Sequence, residues 1–104
     1  MTPEGRVKAK VKKLLKGYPL YSNWPVPCGY GTPMLDCVGC FLGLFFSIET
    51  KAPGGKPTPR QQQTIEEQRR AGAKVFIIDG DTTELEEWLD NVNDNQRRTT
   101  AKVA

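Results

Sequence analysis

The run Leu44-Phe45-Phe46-Ser47-Ile48 is apolar and β-prone, and it leads directly into Glu49-Thr50-Lys51, three residues that no ordinary core strand would choose. Side chains alternate faces along a strand, so Glu49 and Lys51 emerge on the same side, about 7 Å apart along the backbone. Asp36 heads the preceding apolar segment, Cys37-Val38-Gly39-Cys40-Phe41-Leu42, where an antiparallel partner would bring it alongside. The two segments read as one β-hairpin. Two carboxylates and one amine converging at a strand end can hold a divalent cation and a reactive water, which is the chemistry of phosphodiester cleavage.

With 104 residues and 38% hydrophobic content, the chain has material for one small α/β domain. A domain of this size buries a modest core, so part of its stability is expected from a partner subunit. No apolar run approaches the ~20 residues of a membrane span, and the basic N-terminus lacks the apolar stretch of a signal peptide. The expected location is cytoplasmic, with no membrane partner.

The net charge of +3 is small, but its distribution is uneven. Residues 1–16 carry Arg6, Lys8, Lys10, Lys12, Lys13 and Lys16 against Glu4 alone. Residues 79–94 carry Asp79, Asp81, Glu84, Glu86, Glu87, Asp90 and Asp94 and no base. Such asymmetry is read in two ways, as one face that attracts a polyanion and one that avoids it, or as two solvated charged helices.

Thr2-Pro3-Glu4 predicts a helix start: a capping hydroxyl, proline at the first helical position, and an acid in the first turn. Val7, Val11, Leu14 and Leu15 form its apolar stripe, and Gly17 is its stop signal. Glu4 heads that stripe, so it is either a simple dipole-complementing acid or a site residue pointing inward. Tyr18 to Pro33 is rich in aromatics and prolines and admits an edge strand around Leu20–Val26. Its Gly29-Tyr30-Gly31 is followed by no helix, so a dinucleotide-binding loop fails its context. Ala52-Pro53-Gly54-Gly55-Lys56-Pro57 is a loop. Thr58-Pro59 opens a second helix to about Ala71, stopped by Gly72, with an unusually polar inward stripe of Gln61, Ile65, Gln68 and Gly72. Lys74–Ile78 reads as a short buried strand. Asp81-Thr82-Thr83-Glu84 has capping-box spacing and opens a third helix through Leu89, with Leu85, Trp88 and Leu89 inward. The expected domain covers residues 1–92, and 93–104 is a polar tail.

Three cysteines, Cys28, Cys37 and Cys40, include a Cys-x-x-Cys, but the chain has no histidine to complete a zinc site. Zinc is therefore disfavoured against buried thiols or a reversible disulfide.

Taken together, the series resembles the PD-(D/E)XK nuclease superfamily and, within it, the VRR-NUC domain. The pieces are Pro3-Glu4-Gly5, Gly31-Thr32-Pro33-Met34-Leu35-Asp36, Ile48-Glu49-Thr50-Lys51-Ala52-Pro53-Gly54-Gly55, Thr58-Pro59-Arg60-Gln61 and Ala71-Gly72-Ala73-Lys74-Val75. They span roughly residues 3–90. The stand-alone size is similar to the minimal versions carried by phages and bacteria. The resemblance implies an α/β fold with a small mixed β-sheet flanked by helices, the restriction-endonuclease-like core. It implies Asp36 and Glu49 as metal ligands with the Thr50 backbone carbonyl, and Glu4 as an auxiliary acid reaching the metal through water. Lys51 would orient the attacking water or stabilise charge on the phosphorane, and Gln61 would position the lysine or the substrate. Two departures stand out. Met34 and Leu35 separate Pro33 from Asp36, and Thr64 and Gln68 occupy positions that are usually bulky and apolar.

The physical expectation agrees with the resemblance. Mg²⁺ takes oxygen ligands and keeps several waters, so Asp36, Glu49 and one carbonyl supply about half its shell, and Mn²⁺ would substitute. DNA is expected along the first helix through Lys8, Lys12 and Lys13, together with Lys56, Arg60, Arg69 and Arg70. Tyr21, Trp24 and Tyr30 either stack on unpaired bases or pack at an edge. By family analogy the substrate is branched DNA such as a four-way junction, cut by a homodimer whose interface uses the apolar run Phe41–Phe46. The alternatives are a general or sequence-preferring duplex endonuclease, and a non-catalytic nucleic-acid-binding or zinc-stapled module.

Overall fold

A computed structural model describes residues 1–26 and 33–103, and of 97–103 the backbone alone. Cys28, Tyr30 and the Gly-Tyr-Gly segment lie outside the described residues. The element order is α1 (Pro3–Leu15), β1 (Tyr21–Asn23), β2 (Cys37–Phe41), β3 (Leu44–Thr50), α2 (Pro59–Arg70), β4 (Lys74–Ile78) and α3 (Thr83–Val103). The strands form one four-stranded sheet in the order β1-β2-β3-β4. The pairs β1–β2 and β2–β3 are antiparallel, while β3–β4 is parallel, with α2 as the crossover. The expected small mixed sheet with flanking helices is what the chain forms.

Helices α1 and α2 begin where their caps predict. The Thr2 hydroxyl accepts the Gly5 N–H at 3.0 Å, with Pro3 starting α1. Thr58 does the same for α2, and here the box is reciprocal: Gln61 N–H donates to the Thr58 hydroxyl and Thr58 N–H donates to Gln61 Oε1 at 2.9 Å. Pro53 and Gly54 sit at the centre of a tight turn closed by Gly55 N–H to the Ala52 carbonyl at 2.8 Å. Gly54 there has φ +81°, the third-position requirement of a type II turn. The turn reverses the chain just after Lys51 and sends it towards α2.

Strand β3 is the centre of the molecule, and Phe46 to Thr50 are all buried. On one face Phe46 and Ile48 join Cys37, Phe41, Phe76 and Ile78 against Val7, Val11 and Leu15 of α1 and Leu85 and Leu89 of α3. Trp88 covers this core with its ring 5.8 Å from Phe46 and 5.6 Å from Phe76. Burying each of these large side chains contributes about 1.5–3 kcal/mol. On the other face a smaller cluster of Leu35, Ile65 and Val75 packs α2 onto the sheet. That face also holds Ser47 and Glu49, which explains the polar stripe of α2: Gln68 accepts from the Ser47 hydroxyl and Gln61 donates to Glu49. Thr64 is buried and returns its hydroxyl to the Arg60 carbonyl at 3.3 Å, so both departures in α2 are satisfied within the chain.

Several expectations need correction. Gly72 is exposed and outside the stripe, where its φ of +102° ends α2. Helix α1 ends at a right-handed Lys16 and does not use Gly17 as a left-handed stop. The edge strand is shorter than Leu20–Val26, reaching only Tyr21–Asn23, because Pro25 cannot extend a ladder. At α3, Asp81 accepts from Thr83 N–H at 3.0 Å and Thr82 bonds Glu86, so the Asp81–Glu84 capping box does not form. The helix also continues past Leu89 to Val103. No glycine or proline follows Gly80, so nothing in the backbone chemistry stops it.

The β2–β3 hairpin turns through Leu42 and Gly43, both at positive φ (+52° and +84°), as a two-residue hairpin turn requires. A leucine in that conformation costs about 1 kcal/mol, which the ladder on either side offsets. The opposite demand appears at Gly39, whose Cα lies beneath the Phe46 ring and against the Tyr21 carbonyl. A methyl there would run into both, and a backbone atom cannot yield as a flexible side chain can. Gly39→Ala is therefore expected to lower unfolding stability by ~1–3 kcal/mol in a denaturant titration, whereas an unchanged midpoint would mean that Phe46 repacks freely.

Candidate active site

The fold brings five of the residues singled out from sequence to the C-terminal end of β3. Glu49 and Lys51 share a face, and their charged ends are 3.7 Å apart. Continuing the Cys37↔Ile48 register by one residue sets Asp36 across from Glu49, so the two residues intervening after Pro33 do not displace it. Asp36 Oδ2 accepts two hydrogen bonds from a single residue, Thr50 N–H at 2.9 Å and the Thr50 hydroxyl at 2.7 Å. Sequence reading gave Thr50 only a backbone role, and its side chain was missed because nothing local marks a buried hydroxyl fourteen residues from its partner. Gln61 Nε2 donates to Glu49 Oε1 at 3.1 Å while its Oε1 is held by Thr58 N–H. The helix cap thus sets which way the amide points.

Glu49 is 2% exposed. Burial and then the charge of Asp36 push its carboxyl from an ordinary 4.5 up to about 7, with Lys51 and a backbone bond from Asp36 pulling the other way and Glu4 adding to the rise. Glu4, half-buried in the first turn of α1, is therefore close enough for its charge to be felt. Lys8 follows one helical turn later, with its Nζ 3.7 Å from Asp36 Oδ1. Three acids face two ammonium groups here.

That donor set fits a hard divalent cation. A carboxylate buried without full neutralisation is costly, oxygen donors suit Mg²⁺ or Mn²⁺, and such ions need few protein ligands because they keep water. Asp36, Glu49 and the Thr50 carbonyl would hold it, with Glu4 behind a water. Among the described residues, no group of three or more Asp, Glu, Cys or His is placed to hold an ion, so two carboxylates with a carbonyl and water would have to carry it. Cys37 is buried and Cys40 exposed, on opposite faces of β2, so the two cannot grip one ion together.

The basic residues divide. Lys8 and, on the loop and first turn beyond Lys51, Lys56 and Arg60 belong to the site end of the molecule. Arg69 and Arg70 lie at the far end of α2, where Arg69 donates to the Val75 carbonyl at 3.1 Å. Lys12 stands over the Trp24 ring, 5.0 Å from its centroid, and Lys13 is exposed beside it in sequence. The acidic residues of α3 are partly tied to the rest of the fold: Tyr18 donates to Asp90 at 2.6 Å and Lys74 pairs with Glu84.

The raised carboxyl gives a signed prediction for the metal-free protein. Between pH 4.5 and about 7, folded Glu49 keeps a proton that the unfolded chain has released, so stability falls as pH rises through that window and levels off above it. The fall is on the order of 3 kcal/mol. Thermal melts across this range should show Glu49→Gln losing that slope relative to wild type. Parallel curves would mean that Glu49 titrates normally.

Searched by sequence, the chain matches no protein-family model and no curated protein. By structure it is similar to a solved chain described as "VRR_NUC domain", with a TM-score of 0.69 and 24% identity over 86% of this chain and 97% of that one. At that level the likeness speaks to the path of the chain, and the mixed sheet with its flanking helices is accordingly the fold of a VRR_NUC domain.

Proposed function

We propose that this protein is a metal-dependent DNA endonuclease that hydrolyses phosphodiester bonds, acting as a homodimer on branched DNA of the four-way-junction type. The observation that carries the catalytic part is the convergence of Asp36, Glu49, Lys51 and Gln61 at the end of β3, with Glu49 buried and short of positive charge. A bound Mg²⁺ or Mn²⁺ would supply Lewis-acid stabilisation of the phosphate and an acidified water.

The chain's own residues do the rest. Asp36 is oriented by Thr50, and Glu49 by Gln61, so both carboxylates arrive pre-set rather than ordering on substrate binding. Lys51 keeps its ammonium beside Glu49, where it favours the ionised carboxylate and can face the charge that develops on the phosphate. Lys8, Lys56 and Arg60 supply phosphate contacts at the site end, Lys12 and Lys13 serve DNA that runs along α1, and Arg69 and Arg70 reach only DNA that extends along α2. Nothing in this set reads base edges, which favours recognition of shape. Among the described residues, no helix is long and apolar enough to cross a membrane.

Support for a dimer is narrower than the sequence suggested. Phe41 and Phe46 are fully buried in the chain's own core, leaving Leu42, Leu44 and Phe45 each 43–47% exposed at the hairpin, with Tyr21 at 68% on the adjacent edge. A second copy seated there would cover them and present two sites to a symmetric substrate. The branched substrate rests on the family resemblance.

Cleavage of a labelled four-way junction beside a matched linear duplex, with Mg²⁺, Mn²⁺ or EDTA, tests the proposal. Paired nicks in the junction alone are expected, abolished by EDTA and reduced roughly 100-fold or more by Lys51→Ala. Equal cutting of both substrates would make it a general endonuclease, and no cutting with either metal would leave a binding module.

A further inference from the structure

The two oxygens of Asp36 have different partners. Oδ2 takes both donors of Thr50, which fixes the plane of the carboxylate and leaves Oδ1 as the oxygen that Thr50 does not engage. That oxygen is paired with a cation already built into the chain, Lys8 Nζ at 3.7 Å. Lys8 stands one turn after Glu4, so α1 presents an acid and a base to the site from the same face. The other lysines of the helix are engaged elsewhere or exposed: Lys10 donates to the Gly80 carbonyl at 2.8 Å, Lys12 covers Trp24, and Lys13 and Lys16 are exposed.

The pairing is loose. At 3.7 Å it lies beyond hydrogen-bond length, and the Lys8 side chain is 39% exposed against 24% for Asp36. Partly exposed pairs of this kind contribute little stability, and a four-carbon stem lets the ammonium swing away. An oxygen that is pre-oriented, partly exposed and only loosely paired is available to a stronger cation.

We propose that Lys8 is a resident counter-cation of this site. It pairs with Oδ1 of Asp36 in the metal-free protein, yields that oxygen to a divalent cation, and then offers its ammonium to a phosphate oxygen of bound DNA. Lys8 is in this sense a positioning residue that couples ion loading to substrate binding, an inference that rests on the metal-dependent nuclease reading above. Lys8 and the ion compete for Asp36, while Lys8 and DNA attract, so removing the lysine has opposite effects on the two affinities.

Mn²⁺ binding to the full chain, followed by electron paramagnetic resonance of the free ion, reads the first effect without any turnover. Lys8→Met is expected to tighten Mn²⁺ about threefold, and Lys8→Arg to stay near wild type. Lys16→Met removes the same charge two turns further on and is expected to change little. Junction binding in Ca²⁺, titrated with salt, reads the second effect. There Lys8→Met should weaken affinity and lower the salt slope by about one. Unchanged or weaker Mn²⁺ binding in Lys8→Met overturns the proposal, and so does equal tightening in Lys16→Met, which would be a general charge effect. Tighter Mn²⁺ with unchanged junction affinity overturns the link to DNA. If the wild type binds no Mn²⁺, the metal-dependent reading itself fails, and Lys8 is then only a surface ion pair of Asp36.

Discussion

The burial of Glu49 is the constraint around which the rest of the molecule is arranged. A carboxylate on a central strand, covered by helices on both faces of the sheet, loses most of its hydration. Such a group persists only if neighbours replace water, and here they are Lys51 along the strand, Gln61 from α2 and a backbone bond from Asp36. None removes the deficit entirely, since the neighbouring acids Asp36 and Glu4 push back. The fold thus leaves a buried carboxylate incompletely neutralised at one strand end, and the proposed cation site rests on that deficit.

Helix α2 serves two purposes at once. Its N-terminal box satisfies backbone N–H groups that every helix start leaves open, and the same glutamine that completes the box reaches Glu49. Rotation of the Gln61 amide would break the cap, so the orientation that reaches Glu49 is also the one that stabilises the helix. Further down α2, Gln68 meets Ser47 and Thr64 returns to its own helix. A layer that looks too polar for a core is a row of satisfied hydrogen bonds beside the small apolar cluster of Leu35, Ile65 and Val75.

The charge asymmetry has a comparable resolution. Basic α1 and acidic α3 lie on the same face of the sheet and both feed the larger core. Lys10 of α1 donates to the Gly80 carbonyl just before α3, and Tyr18 just after α1 donates to Asp90 of α3, so the two helical regions are tied together. The Asp90 bond, with burial, pushes the Tyr18 phenol up to about 12, so it remains a donor throughout the working pH range.

What the sequence determined by itself was local. Cap hydroxyls followed by proline placed the starts of α1 and α2, alternation put Glu49 and Lys51 on one face, and Pro53-Gly54 marked the turn after them. These signals act over a few residues, so they are legible without the fold. The tertiary structure alone decided which donors share Asp36, that Lys8 among six basic residues of α1 and its end meets the site, and that Gly39 must lack a side chain. It also decided that Phe41 and Phe46 belong to the core and not to the surface. Those outcomes depend on contacts between residues far apart in the chain, where the approach of two backbones, and not the spacing of residue types, sets the partner.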